Sequence, residues 1–553
     1  MVAPPRVRLQ AGRRQRAPAW LWVPAAVIAA AMLLPVVYLV VRAVGVGGQA
    51  VTELADPGTL RVLWNSVQLA AIVTGTSILL AVPLAWLTVR TDLPGRAVWA
   101  VLCAMPLVIP SYVGAFAYVA AFGPRGLLQA LLAPLGVQRL PEIYGLPGAA
   151  LALTLFTFPY LLLIIRGALV GMDASLEEAS RGLGRSPFQT FRHVTLPHLR
   201  PAIGAGGLLV TLYVLSDFGA VSIMKLRTFT FAIYLEYQGS FDRTRMAVLA
   251  LALVVLACAI LAAEARARGR VRYARTGSGA QRQPRVVALG RWRWPALALC
   301  VGVVSLALAV PLAVIGYWLV RGIRSGQDLG LALEAARSSV WASSLAAGLA
   351  AVAALPVTVL SVRFRSRATA PVERATYVGF ALPPIVVALA FVFFGARYLG
   401  PAYPTLGLLV VAYALRFLPE AVGATRTSLL QVPPSVEEAA RSLGRTGPQV
   451  LASVTTPLVL PGVTAGAALV FLTAMKDLPI TLLLSPPGFS TLATQVWSAT
   501  DGAFYAKAAV HALLLLLLSS VPLTILLRRR GWTTPISSDD VNLPYPPTPK
   551  DPQ

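Results

Sequence analysis

Apolar residues run through this chain in blocks of about 20, divided by short polar or basic stretches. The first block, Trp20 to Val41, is about 22 residues long, and others fall near 62–89, 98–122, 148–169, 201–223 and 246–264. After an interruption they resume near 296–320, 340–362, 377–394, 405–425, 461–484 and 507–527. Each block approaches the ~20 residues a helix needs to cross a bilayer. In hydrocarbon the backbone groups must pair within the segment, so helices are expected. The first block is longer than a signal-peptide core and reads as a retained span. The pattern predicts an all-α polytopic membrane protein with twelve transmembrane helices in two tandem six-helix repeats. Its expected divisions are a basic N-terminus (1–19), a first repeat (20–264), a basic linker (265–294), a second repeat (295–530) and a polar, proline-rich tail (531–553) expected to be disordered.

The polar interruptions carry the duplication. Glu177 to Ile203 reads EEASRGLGRSPFQTFRHVTLPHLRPAI, and Glu437 to Val463 reads EEAARSLGRTGPQVLASVTTPLVLPGV. At an offset of 260, twelve of 27 positions are identical, which marks two copies of one unit. Pro159, Arg166, Ser175 and Asp217 keep the same register with Pro419, Arg426, Ser435 and Asp477. Ser175 lies three residues before Glu178, and Ser435 three before Glu438, a capping-box spacing. Gly184 and Gly444 stand where a short helix takes a left-handed residue at its end. Ser186–Pro187 reads as a fresh helix start. Pro197 and Pro201 are expected to break that second helix before the membrane is re-entered.

This loop resembles the EAA loop of ABC-transporter permeases, E-A-A-x3-G-x9-I-x-L-P. The first copy carries it as Glu178-Ala179-Ser180, Gly184 and Val194-Thr195-Leu196-Pro197. The second carries Glu438-Ala439-Ala440, Gly444 and Val454-Thr455-Thr456-Pro457, with threonine in place of the usual leucine. The resemblance implies the type I ABC importer permease fold and a short coupling helix that docks on an ATPase subunit. On it, Glu177, Glu178, Ala179, Gly184, Glu437, Glu438, Ala439 and Gly444 are the expected ATPase-coupling residues.

Composition agrees with this picture. Apolar residues make up 57% of the chain and charged residues 12%, against about 25% charged in soluble domains, and mean hydropathy is +0.72. The net charge of +25 raises nucleic acid as a partner, but the basic residues lie between apolar blocks, where membrane topology and lipid explain them. With the N-terminus inside, the segments on the side of the repeated loops hold more than twice the Lys and Arg of the opposite side. Both loops and both termini are therefore expected in the cytoplasm, and the resemblance implies a bacterial inner-membrane protein. Cys103, Cys258 and Cys300 sit within apolar blocks, and the three histidines have no ligand spacing, so no disulfide framework or metal site is expected. The chain has no G-x-x-x-x-G-K-[ST], G-x-S-x-G or paired-histidine zinc motif. It is therefore expected to be a transport subunit with no catalytic residues and no bound cofactor, drawing on ATP hydrolysed by a partner.

Charges inside the spans are costly and mark candidate function. They are Asp217 and Asp477, which are repeat equivalents, Lys476, and the pair Arg416 and Glu420, four apart on one helix face. A structural ion pair and a transport role both remain open for Arg416–Glu420. The stretches Ser216-Asp217-Phe218-Gly219-Ala220-Val221-Ser222, Met475-Lys476-Asp477-Leu478-Pro479 and Pro106-Leu107-Val108-Ile109-Pro110-Ser111-Tyr112 resemble permeases of the bacterial ferric-iron uptake group. That resemblance implies a fused two-half permease with two ATPase copies and an extracytoplasmic iron-binding protein. Thiamine, phosphonate or polyamine permeases share much of the pattern, and an ion-gradient-driven secondary transporter is the alternative from another class. The two acids are expected in the outer third of the membrane, facing each other across a vestibule.

Overall fold

The structure is a computed structural model that describes residues 17–46, 49–124, 126–137, 139–239, 243–267, 286–326, 330–364 and 366–529. Most of the N-terminal segment, the middle of the linker and the tail 531–553 lie outside these residues. The described residues contain no β-strand, only one isolated bridge between Thr91 and Val287.

Among the described residues two sets of ten helices correspond, and the first half also holds two short helices without a counterpart, Gln49–Ala55 and Leu127–Leu132. The first set is α1 (Ala19–Val46), α2 (Pro57–Arg90), α3 (Arg96–Leu102), α4 (Ser111–Phe122), α5 (Leu146–Val170), α6 (Ala174–Gly182), α7 (Pro187–Ser216), α8 (Gly219–Ile223), α9 (Phe229–Gly239) and α10 (Arg243–Ala267). The second is α11 (Gly290–Arg324), α12 (Gly330–Arg363), α13 (Ala370–Ala381), α14 (Pro384–Phe394), α15 (Leu406–Leu430), α16 (Pro434–Ser442), α17 (Gly447–Lys476), α18 (Pro479–Leu484), α19 (Leu492–Asp501) and α20 (Tyr505–Arg529). Each helix of the second set repeats the one ten places earlier. Ten described helices are long and apolar enough to cross a membrane, or eleven when one bent pair is taken as a single span; the apolar part of α20, Tyr505–Val521, is shorter.

Each half is built on a three-helix core, α2 with α5 and α7, and α12 with α15 and α17. Close approach is possible because glycine faces the neighbour at equivalent places. A Cβ on Gly206 would lie 2.2 Å from Leu161, and one on Gly466 would lie 2.8 Å from the Cα of Ala421. The first spans are exchanged between halves. Helix α1 packs on α12, α13 and α14, with Tyr38 stacked on Phe393 at 5.1 Å. Helix α11 packs on α20 of its own half and also on α4, where the Tyr118 hydroxyl donates to the Leu306 carbonyl at 2.9 Å. Hydropathy reports that a segment is apolar and carries no information about which half it covers.

Several expected spans are not single helices. The block 98–122 is α3, a 3-10 turn at Met105–Val108, an extended Ile109–Pro110 and then α4. The block 377–394 crosses a break of 102° between Ala370–Gly379 and Pro384–Leu399. Proline drives the preceding residue out of the helical region, and Ile109 (ψ 118°) and Leu382 (ψ 138°) are extended before Pro110 and Pro383. The blocks 201–223 and 461–484 break at Asp217 and Asp477, leaving the short α8 and α18 beyond.

The expected breaks at Pro197 and Pro201 do not occur. Helix α7 runs unbroken from Pro187 to Ser216 through a widened π turn at Phe191–Thr195, and α17 does the same through Leu451–Thr455. Pro197 and Pro457 follow directly on the wide turn, where the regular i→i−4 pattern is already interrupted, so the missing N–H ends nothing.

The end of the basic linker pairs with the first half. Val287 donates to the Arg90 carbonyl at 2.8 Å and accepts from Asp92 N–H at 3.1 Å, while the Leu289 N–H donates to the Asp92 carboxylate at 2.8 Å. Residues 286–289 are thus clamped to the end of α2.

Candidate functional site: two repeated loops and the junction between halves

The loops form as helix, glycine turn, helix, but their caps differ from expectation. Ser175 is not the cap of α6. Asp173 is, and its carboxylate accepts from the Ser175 N–H at 3.0 Å, which holds that carboxyl below its usual range. Ser435 likewise lies inside the first turn of α16, whose cap is Pro433. The capping boxes stand one helix later. Gln189 Oε1 accepts from Ser186 N–H at 3.0 Å, and Gln449 Oε1 accepts from Thr446 N–H at 2.9 Å. Gly184 and Gly444 have φ of 81° and 85°, the left-handed turn that lets each loop reverse.

The two acids of each loop have separate positions. Glu177 and Glu437 are buried, with 6% and 4% exposure. Glu177 accepts from the Thr195 hydroxyl at 2.8 Å and lies 3.7 Å from the Arg90 guanidinium. Glu437 accepts from Thr455 at 3.2 Å and from Arg363 at 3.0 Å, with Arg441 at 3.7 Å. Each arginine also donates to a backbone carbonyl just before its loop, Leu169 for Arg90 and Val432 for Arg363. The first acid of each pair therefore ties its loop to the end of α2 or α12 and faces inward. Glu178 is half-buried, and Glu438, Ala179, Ala439, Gly184 and Gly444 are exposed. The apolar tips are Leu183 and Leu443, 82% and 84% exposed. Each loop presents a rigid, partly apolar knob with its charge on the flank. Arg90 and Arg363 were not identified from sequence. They are equivalent at an offset of 273, not 260, because the first half carries extra chain between α4 and α5.

At the opposite ends of α7 and α17, the acids act as caps. Asp217 accepts from the Ala220 N–H at 2.8 Å and from the Ser111 hydroxyl, and Asp477 accepts from the Ile480 N–H at 2.9 Å. Both are buried at 8% exposure. Lys476 turns away from its neighbour and donates to the Val108 carbonyl at 2.8 Å. Val108 and Ser111 flank the break before α4, so that single break holds the end of α7 and the end of α17 together. Arg416 donates to the Gly379 carbonyl at 2.6 Å beside the break before α14, and Glu420 accepts from Thr473 at 3.0 Å on α17. Among the described residues no group of three or more His, Cys, Asp or Glu could hold a metal ion.

Comparison with known proteins places this geometry. Residues 70–272 and 346–529 each match the family described as binding-protein-dependent transport system inner membrane component. The chain is 35% identical over 516 residues to the Fe(3+)-transport system permease protein FbpB 2 of Haemophilus influenzae, covering 93% of this chain and 98% of that one. It is 30% identical to the sulfate transport system permease protein CysW of Escherichia coli, over 35% of this chain and 66% of the other. It is 33% identical to the molybdenum transport system permease protein ModB of Escherichia coli, over 28% and 69%. These shorter relatives match a single portion of a chain that holds the unit twice. The chain belongs to the family of binding-protein-dependent transport system inner membrane components, with both copies of the unit in one polypeptide.

Proposed function

We propose that this chain is the complete membrane pathway of an ATP-driven importer of ferric iron. An extracytoplasmic iron-binding protein delivers the substrate, and two copies of a separate ATPase subunit drive it. The observation that carries the reading is the pair of anchored loops. Each has a buried glutamate fixed to a long span and an exposed leucine tip, so a push on the tip is passed to α2 or α12 without loss in a floppy loop. A permease relative matched over nearly its whole length and named for Fe(3+) transport supports iron as substrate. The basic excess on the side of the loops supports a cytoplasmic position for them and for both termini. ATP is used by the partner; the chain itself binds no cofactor.

In this reading Asp217, Asp477, Lys476, Arg416 and Glu420 flank the path by shaping the breaks that close it. The two aspartates act through the turns they cap.

The test is reconstitution of the chain with its ATPase in liposomes. Iron-loaded binding protein outside and ATP inside should give iron accumulation together with stimulated hydrolysis. Stimulation by a thiamine-, phosphonate- or polyamine-loaded binding protein in place of the iron-loaded one would overturn the substrate. Uptake that follows an ion gradient without ATP would overturn the class.

A further inference from the structure

Helices α9 and α19 are repeat equivalents, and the structure fixes their register independently of sequence. The Phe229 N–H donates to Ser66 at 3.0 Å, and the Leu492 N–H donates to Ser339 at 2.8 Å. Phe229 and Leu492 open their helices, and Ser66 and Ser339 occupy the same place on α2 and α12. On that register Tyr234 of the first half corresponds to Trp497 of the second. These two rings meet each other edge to face, with centroids 5.5 Å apart.

A residue that contacts its own symmetry equivalent lies on the symmetry axis, as at any isologous interface. Tandem repeats of the same orientation in the membrane are related by an axis along the membrane normal, and substrate passes at the interface between the repeats. The Tyr234–Trp497 contact therefore sits on the line a substrate must follow. Both rings are further packed by Phe218, at 5.0 Å from Tyr234 and 6.2 Å from Trp497, and the Trp497 indole N–H donates to the Ser222 hydroxyl at 2.9 Å. Around this plug the halves are joined, among the described residues, by the ion pair of Lys225 with Asp501, with both side chains about half exposed. On the same register Asp501 corresponds to Gln238 and Lys225 to Gly488, which shares its left-handed backbone (φ 79°), so the charged clasp occurs on one side only. Lys225 (φ 56°) and Ala503 (φ 59°) are the non-glycine residues with left-handed backbone among those described. Strained backbone persists where the surroundings over-determine it, and it gathers at switch regions. Here it falls on one partner of the clasp, Lys225, and two residues beyond the other, Asp501. All of these residues lie beyond the far ends of α7 and α17, away from the repeated loops.

We propose that Tyr234 and Trp497 form the outer gate of the path, that the Lys225–Asp501 pair is its clasp, and that the structure shows the gate shut. The inference rests on the importer reading above. It adds that the event passed from the loops must end in separation of these two rings. The gate holds its shut state by apolar contact, the Trp497–Ser222 hydrogen bond and one ion pair, contacts that open without leaving a buried charge behind.

The test uses the full chain in complex with its ATPase, in liposomes, on a Cys258→Ser background. Lys225→Cys and Asp501→Cys are introduced together and joined by a short bis-methanethiosulfonate linker. Cross-linking is expected to lower iron uptake, and the hydrolysis stimulated by the binding protein, to the level seen without that protein; dithiothreitol should restore both. Uptake unchanged by cross-linking would overturn the gate. Absence of uptake before cross-linking would count against the importer reading, so the two failures are distinct. A second measurement does not depend on cysteines. Trp497→Ala should raise hydrolysis in the absence of binding protein by about fivefold or more, the low end of coupling between two states. Lys225→Asp and Asp501→Lys should each raise it, and the double exchange should bring it back. Unchanged basal hydrolysis in Trp497→Ala, or singles and double exchange that behave alike, would also overturn the proposal.

Discussion

Two carboxylates that look alike in sequence do different work. Glu177 is enclosed by Arg90 and Thr195, whereas Glu178, one residue on, is half-buried on the flank of the loop. Removing one member of a buried pair leaves its partner's charge uncompensated, a cost of about 3–5 kcal/mol. Glu177→Ala and Glu437→Ala should therefore lower the melting temperature of the chain in detergent, while Glu177→Gln, which keeps an acceptor for Thr195, should lower it less. Glu178→Lys and Glu438→Lys should leave melting unchanged and abolish ATPase coupling; equal melting losses for Glu178→Lys and Glu177→Ala would contradict this division. The aspartates allow a similar comparison. Asn keeps the oxygen that accepts from Ala220 or Ile480, and Ala does not. Loss of a cap costs about 1 kcal/mol, so Asp217→Asn and Asp477→Asn should transport near the normal rate and the Ala variants should not. Transport lost equally in Asn and Ala variants would show that the charge itself is needed. Glu177 and Thr195 were legible in the sequence because both recur at 260. Arg90 was not, since its partner recurs at 273.

Among the elements, the repeated short helices, their glycine turns and the long spans were all present in the pattern of the chain. The breaks before α4 and α14 and after α7 and α17 were not, because a run of apolar residues looks the same whether its backbone is continuous or folded back. Proline marked two of these breaks but misled at Pro197, where the wide turn absorbs it. The glycine contacts give a test at this scale. At Gly466 a Cβ meets the backbone of Ala421, which cannot rotate away, whereas at Gly206 the nearest atom is the end of Leu161. Overpacking costs typically 1–3 kcal/mol. Gly466→Ala should lower thermal stability more than Gly206→Ala, measured by unfolding in detergent. The reverse order would mean that the contact between α15 and α17 is looser than found.

For the whole molecule, the exchange of α1 and α11 means that neither half is a closed unit. Each buries part of its first span on the other, so residues 17–267 expressed alone should give no stable monomer, and co-expression with 286–529 should recover it on size exclusion. The proposed function carries a stoichiometry: in it, the two anchored loops of one polypeptide are two seats for an ATPase, and the two fused units are both walls of a path. The most direct measurement is the mass of the intact detergent-solubilised complex. The account predicts one 58.4 kDa chain with two ATPase subunits, and a complex lacking one ATPase when the second loop carries Glu438→Lys. Two copies of this chain in the complex, or one ATPase bound to the unaltered chain, would contradict it.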